Sequence, residues 1–331
     1  MTEGPVVADP ATSVEDVLRG ELAYGDAMLG TVGPILGYLV LNHDQSLFTD
    51  AIIARVRGML ADVSRQLLGI EEQHAPPLAP AESERPDESD DGEIARAAQA
   101  AERTESLSAA IANNPQFLQH CHSLAIEFQV AEKLKSRNSL DPVLTPLLQT
   151  FIASKDAKVA SNAMAALTAQ ARFMEQQRRM VLPLEELPPA LSRHAIACWK
   201  DSTSVKDDQQ RAAISSALRN KADNERSRTV LFDKVLHAMG GGVAGALTIP
   251  HAGISIFISA LSSTSGMTRE DAALTTNDRQ MARLALCLRG AGLKSQTIEE
   301  QFLYLHPEIE LPEDFDTLRA EAARGILSGS S

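Results

Sequence analysis

Apolar residues recur every three to four positions along most of this chain. Between residues 47 and 69, Leu47, Ile52, Val56, Leu60, Val63 and Leu67 fall on one face of a helical wheel. That is the spacing of an amphipathic helix with one buried stripe. Residues 14–41 show a similar pattern, interrupted at Gly33-Pro34. A missing amide and a ring clash there predict a kink or break. The two segments together read as an N-terminal helical hairpin, residues 1–74. The period is lost over 75–93, which holds Pro76, Pro77, Pro80 and Pro86, and seven acidic residues with one Arg between Glu82 and Glu93. Such a stretch buries too little surface to offset its ordering entropy, so it is expected to be a disordered acidic linker.

From residue 94 the helical period returns and hardly stops. Helices are expected at 94–112, 115–136, 141–153, 156–179, 188–201, 206–238, 252–262, 269–290, 295–305 and 314–327. Pro115, Pro142, Pro188 and Pro189 fall near helix starts, where an absent amide costs nothing. Gly290 and Gly292 fall where a helix should stop. The expected fold class is therefore all-α: a multi-helix main domain over 94–331, preceded by the linker and the hairpin. Within it, Asp156, Val159, Ala163, Ala166 and Leu167 follow the order D-x-x-V-x-x-x-A-x-x-A-L, which resembles the second helix of a HEAT repeat. Asp156 is placed to cap the helix, and the alanines allow a neighbouring helix to approach closely. Residues 141–153 would supply the first helix of the pair, giving a short HEAT-like helical hairpin over about 141–180. A solenoid needs about three such units and no second copy is as good, so the stretch is expected to sit inside a larger helical domain.

Composition agrees with the pattern. The 331 residues are 44% apolar but only 4% aromatic, and the Ala- and Leu-rich apolar set favours helix over sheet. A net charge of −13 opposes a phosphate backbone. Much of it sits in the linker, so the argument against nucleic acid is weaker for the folded parts. Cys121, Cys198 and Cys287 are odd in number and far apart. They suit buried thiols in a reducing compartment better than a disulfide framework or a metal ribbon. The start of the chain, with Glu3, Pro5, Asp9 and Pro10, does not read as a secretory signal. A cytoplasmic location is expected. Residues 235–268 carry no formal charge, yet their glycines, Pro250 and hydroxyl residues make a buried helix pair a better reading than a membrane span.

A family resemblance lies in the C-terminal part. Ile254-Ser255-Ile256-Phe257-Ile258, then Gly266-Met267-Thr268-Arg269-Glu270-Asp271-Ala272, are followed by Ala282-Arg283-Leu284-Ala285-Leu286-Cys287-Leu288-Arg289, Gly292-Leu293, Ile298 and Leu303. This order, with Leu184-Glu185-Glu186-Leu187-Pro188 and the HEAT-like stretch, resembles the alphaproteobacterial helical family catalogued as domain of unknown function 2336, over about residues 115–309. The motifs are helix-packing patterns. The resemblance implies an all-helical, bacterial, cytoplasmic protein, and it brings no assigned reaction or functional residues.

Candidate chemistry is sparse. Gly240, Gly242 and Gly245 match G-x-G-x-x-G. A dinucleotide site needs that loop between a strand and a helix with an acidic residue about 20 positions on, and neither is expected here. His120 and His122 flank Cys121 but point to different sides of a helix, so one buried and one exposed histidine is expected instead of a metal pair. Cys198 and His194 are one turn apart, but no third group or oxyanion loop accompanies them. No cofactor, metal or catalytic residue is therefore expected, and the chain is read as a non-enzyme.

The remaining candidates are basic. A helix over 206–234 would carry Arg211, Arg219, Lys221, Arg226 and Arg228 as candidate partner-binding residues, interleaved with Asp207, Asp208, Asp223, Glu225 and Asp233. A solvated face laced with ion pairs is the plainer reading, and a docking face for an acidic partner is the functional one. Arg172, Arg178 and Arg179 form a second cluster. The functional expectation is a regulatory or scaffolding module that binds a protein partner. A second copy of the chain is left open as that partner. The alternatives are peripheral membrane attachment through 235–268 and, behind it, an unrecognised enzyme.

Overall fold

The computed structural model describes residues 13–42, 50–74 and 90–329. Every regular element among them is a helix, as the period predicts. In chain order these are α1 (Val14–Asn42), α2 (Asp50–Gln73), α3 (Asp90–Ala112), α4 (Pro115–Asn138), α5 (Pro146–Ile152), α6 (Ala157–Arg178) and α7 (Pro189–Ser202). They continue with α8 (Asp208–Lys221), α9 (Arg228–Met239), α10 (Ile249–Ser265), α11 (Arg269–Leu274), α12 (Met281–Gly290), α13 (Ser295–Leu305) and α14 (Ala320–Gly329).

Local chemistry sets several of the helix starts. Asn114 accepts from the amides of Gln116 and Phe117 and is followed by Pro115. Thr145 accepts from Leu148 N–H ahead of α5. Asp156 accepts from Lys158 and Val159, as the motif requires. Asp207 does the same for α8. Before α11, the Thr268 hydroxyl donates to Asp271 at 2.6 Å while accepting from the Asp271 amide. These side chains satisfy amides that have no partner within the helix.

Helix α4 runs through the middle of the fold. From Phe117 to Phe128 nearly every side chain is buried, because α1, α2, α3, α6, α10, α11 and α13 all pack against it. A helix covered on all sides needs no polar stripe. Helix α10 is similar: Ala252, Ile254, Ile256, Phe257, Ile258, Ala260 and Leu261 are all buried. The uncharged segment is thus core along α10, but its glycine-rich turn, residues 240–245, is largely exposed. The stretch Arg228–Leu247 is long and apolar enough to cross a membrane by length and composition alone.

Several expectations on helix bounds are corrected. The chain over 206–238 is two helices, α8 and α9, because Asp223 accepts from the Glu225 amide and Ser227 N–H bonds to Asn224 O, closing a turn. The stretch 269–290 is likewise divided into α11 and α12. Helix α1 does not break at Pro34 but runs through it. Helix α3 starts at Asp90, inside the segment read as linker. The rest of that linker, 75–89, lies outside the described residues. Leu18, Leu22, Val56, Met59 and Leu67 share one apolar core with Phe117, Trp199 and Leu284.

Candidate functional site

The five basic residues singled out in the sequence do not share a face. Arg211 folds back on its own helix start, donating to Val205 O at 2.8 Å and to Asp208 at 3.1 Å. Arg219 and Arg226 are exposed, and Lys221 pairs with Glu185 at 3.4 Å. Arg228 is a correction to the docking reading. Only 1% of it is exposed, because the break before α9 turns it inward. Arg178 and Arg179 of the second cluster pair with Glu132 and Glu175.

Arg228 anchors a buried ionic network. Its two terminal nitrogens grip Glu127 of α4, one at 3.0 Å and the other closer still, and one of them also reaches Gln170 Oε1 at 3.1 Å. Its guanidinium lies over the Phe173 ring, 3.6 Å from the centroid. Arg269 pairs with Glu127 Oε2, which Arg228 also holds, at 2.9 Å and donates to Ser259 Oγ at 3.1 Å. Gln170 in turn donates to Ser255 Oγ at 2.9 Å. Burial pushes the Glu127 carboxyl toward protonation, but the two guanidinium groups outweigh it and hold that carboxyl well below the usual range. Glu186 accepts from the Arg228 amide at 3.0 Å, an anion at the start of α9 where Ser227 makes no side-chain cap. Burial raises the Glu186 carboxyl against the pull of Arg228. The network joins α4, α6, α9, α10 and α11 and pairs its charges with one another, with Arg228 Nε left buried without a hydrogen-bond partner.

Both histidines of α4 are buried, which corrects the expectation that one would be exposed. The covering of α4 by α1 and α11 accounts for it. His120 Nδ1 lies 2.7 Å from Glu270. His122 faces a cavity of about 320 Å³ beside Leu29, Pro34, Gln119 and Asp271, and burial pushes it down to about 4. Gln119 donates to Asp271 at 2.7 Å. No group of three or more His, Cys, Asp or Glu with metal-holding geometry occurs among the described residues. Cys198 Sγ lies 3.5 Å from His194 Nε2, but burial, then Asp201, raises the thiol. It is therefore a weak nucleophile. Gly240–Leu247 form a 3-10 turn after a helix, not the strand-to-helix turn that a pyrophosphate needs.

One apolar groove open to solvent was not singled out in the sequence. Helices α2 and α3 leave between them a groove of about 590 Å³. Leu60, Ala61, Ala101 and Ala109 line it, with Arg65 on the α2 rim and Glu105 on the α3 rim. The chain matches no family model, no curated protein and no solved structure. Residues 94–102 of α3, which include the groove-lining Ala100 and Ala101, are all exposed, with Ile94 at 64%. The signal for this was the run Ala97-Ala98-Gln99-Ala100-Ala101, whose small side chains suit helix contact more than solvent.

Proposed function

We propose that this chain is a non-catalytic protein-interaction module, regulatory or scaffolding in role, and that it meets its partner in the groove between α2 and α3. One observation carries the reading: α3 exposes nine consecutive residues on every side, beside an apolar groove open to solvent. A lone helix half rich in alanine gains little in water, whereas a third helix laid along the groove would cover Ala61, Ala100, Ala101 and Ala109. The buried charges support the same reading, since Glu127, Arg228 and Arg269 are spent on holding helices together. Membership of the helical family resembled above, a HEAT-like origin of the α5–α6 pair and a cytoplasmic location belong to this proposal as well.

The test places a photo-crosslinking amino acid at Ala101 in the full chain within its native cell. The expected result is one discrete adduct that disappears when Ala61→Trp fills the groove. Equal labelling from Ala101 and from an exposed control position such as Arg172, or an adduct indifferent to Ala61→Trp, would defeat the proposal.

A further inference from the structure

The groove has a property that names its occupant, on the reading just given. Its two rims carry opposite charge within about one helical turn of each other. Ser64 and Ser108 are hydrogen-bonded across the pair at 3.0 Å, and Arg103 reaches Glu71 at 2.7 Å. The two contacts set an antiparallel register in which Arg65 of α2 and Glu105 of α3 stand within about one helical turn of each other. Both are exposed, Arg65 with 60% of its side chain, and both border the groove. Among the described residues Arg65 pairs with Asp62, one turn back on its own helix, at 3.5 Å.

We infer that the groove is closed by the same groove of a second copy, in a two-fold four-helix arrangement. A two-fold axis parallel to the helix pair, in the plane of the interface, sets α2 of each copy against α3 of the other. It preserves height along the helices. Arg65 of one copy then faces Glu105 of the other, and symmetry makes the contact twice. An isologous interface requires this self-complementarity, whereas an unrelated helix would have to bring both charges itself. Ala61, Ala101 and Ala109 let the facing helices approach closely, within the usual 8–10 Å between axes. The apolar groove supplies the attraction, and the two ion pairs set the register.

The test is the mass of the full chain in solution by sedimentation equilibrium from sub-micromolar to high-micromolar concentration. The expected species is a dimer of the 35.6 kDa chain. Arg65→Glu alone and Glu105→Arg alone should each weaken dimerisation roughly ten-fold, by placing like charges opposite each other twice. The double variant Arg65→Glu/Glu105→Arg should return to within about three-fold of the original. Far-UV circular dichroism checks that each variant remains helical. A chain that stays monomeric overturns the inference, as does a dimer indifferent to the single swaps or not rescued by the double. A monomer that still yields a groove-dependent adduct with a different protein at Ala101 overturns only the second-copy occupant. A monomer with no such adduct removes the docking reading as well.

Discussion

Arg228 and Arg226 stand two positions apart and have opposite fates. Arg226 is in solvent at the turn before α9, whereas Arg228 is buried between Phe173 and Glu127. Removing Arg228 takes the bidentate partner from buried Glu127, leaves it Arg269 alone and empties the space over Phe173, at a cost of about 3 kcal/mol, the low end for a broken buried pair. Arg228→Ala should lose stability of that size in equilibrium urea unfolding, and Arg226→Ala should change it by less than about 0.5 kcal/mol. Equal costs would refute the placement. His122 makes a second prediction at this scale. Burial holds it neutral down to about pH 4, whereas an unfolded histidine takes up its proton near 6.5. Between those values the unfolded chain binds the extra proton, so stability falls as pH falls. Burial raises the carboxyls of Glu186 and Asp233, and these groups act with the opposite sign. The readout is therefore the stability of the natural chain minus that of His122→Phe. This difference should drop by about 2 kcal/mol between pH 7 and pH 5 in urea titrations. A constant difference would show that His122 is not held neutral.

At the scale of elements, the period of apolar residues was enough to place most of the helices, because burial of one face is written into spacing. It failed where turn chemistry overrides it. The residues around Asp223-Asn224 keep helical spacing of charges on both sides, so α8 and α9 read as one helix, and that error alone placed Arg228 on a solvent face. The Glu127–Arg228 pair could not be read at all, since nothing local links residues 101 positions apart. The α2–α3 groove was hidden for the same reason: its two walls are separated in sequence by the proline-rich acidic stretch. A further feature at this scale is Gly253 inside α10. Its φ of +72° and ψ of 160° interrupt the helix, and a Cβ there would meet Thr145 Cγ2 at 2.6 Å. Gly253→Ala should cost about 2–3 kcal/mol from the backbone conformation and the clash together. Thr145→Ser removes the offending methyl and keeps the hydroxyl that caps α5. The double variant should therefore recover part of that loss in thermal melts, while Thr145→Ser alone should not stabilise the chain. Full recovery would mean that backbone conformation contributes nothing.

At the scale of the molecule, the N-terminal helices decide whether this is one folding unit or two. Side chains of α2 bind the chain beyond residue 180: Asp62 accepts from Leu182 N–H at 3.0 Å, and Gln66 donates to Leu182 O at 2.9 Å. Glu71 accepts from Arg103, Trp199 and Thr203, at 2.7, 2.6 and 3.0 Å. Met180 sits so close to Gly58 that a Cβ there would lie 2.5 Å from its own. Helix α1 is tied to the C-terminal half through Gly25 O, which accepts from Gln280 at 2.6 Å, and through the Asp26–Arg283 pair. Residues 90–331 alone would therefore expose the faces that α1 and α2 cover and leave the Trp199 indole without its acceptor. Unsatisfied buried groups and lost apolar cover both act against a cooperative fold. The expected outcome is that 90–331 expressed alone unfolds without a sharp transition and with weak near-ultraviolet dichroism. Co-expression with residues 1–74 as a separate chain should restore one cooperative transition, because the contacts do not depend on the covalent link between α2 and α3. A sharp transition for 90–331 alone, unchanged by adding 1–74, would mean that the N-terminal helices dock on a finished domain instead of completing it.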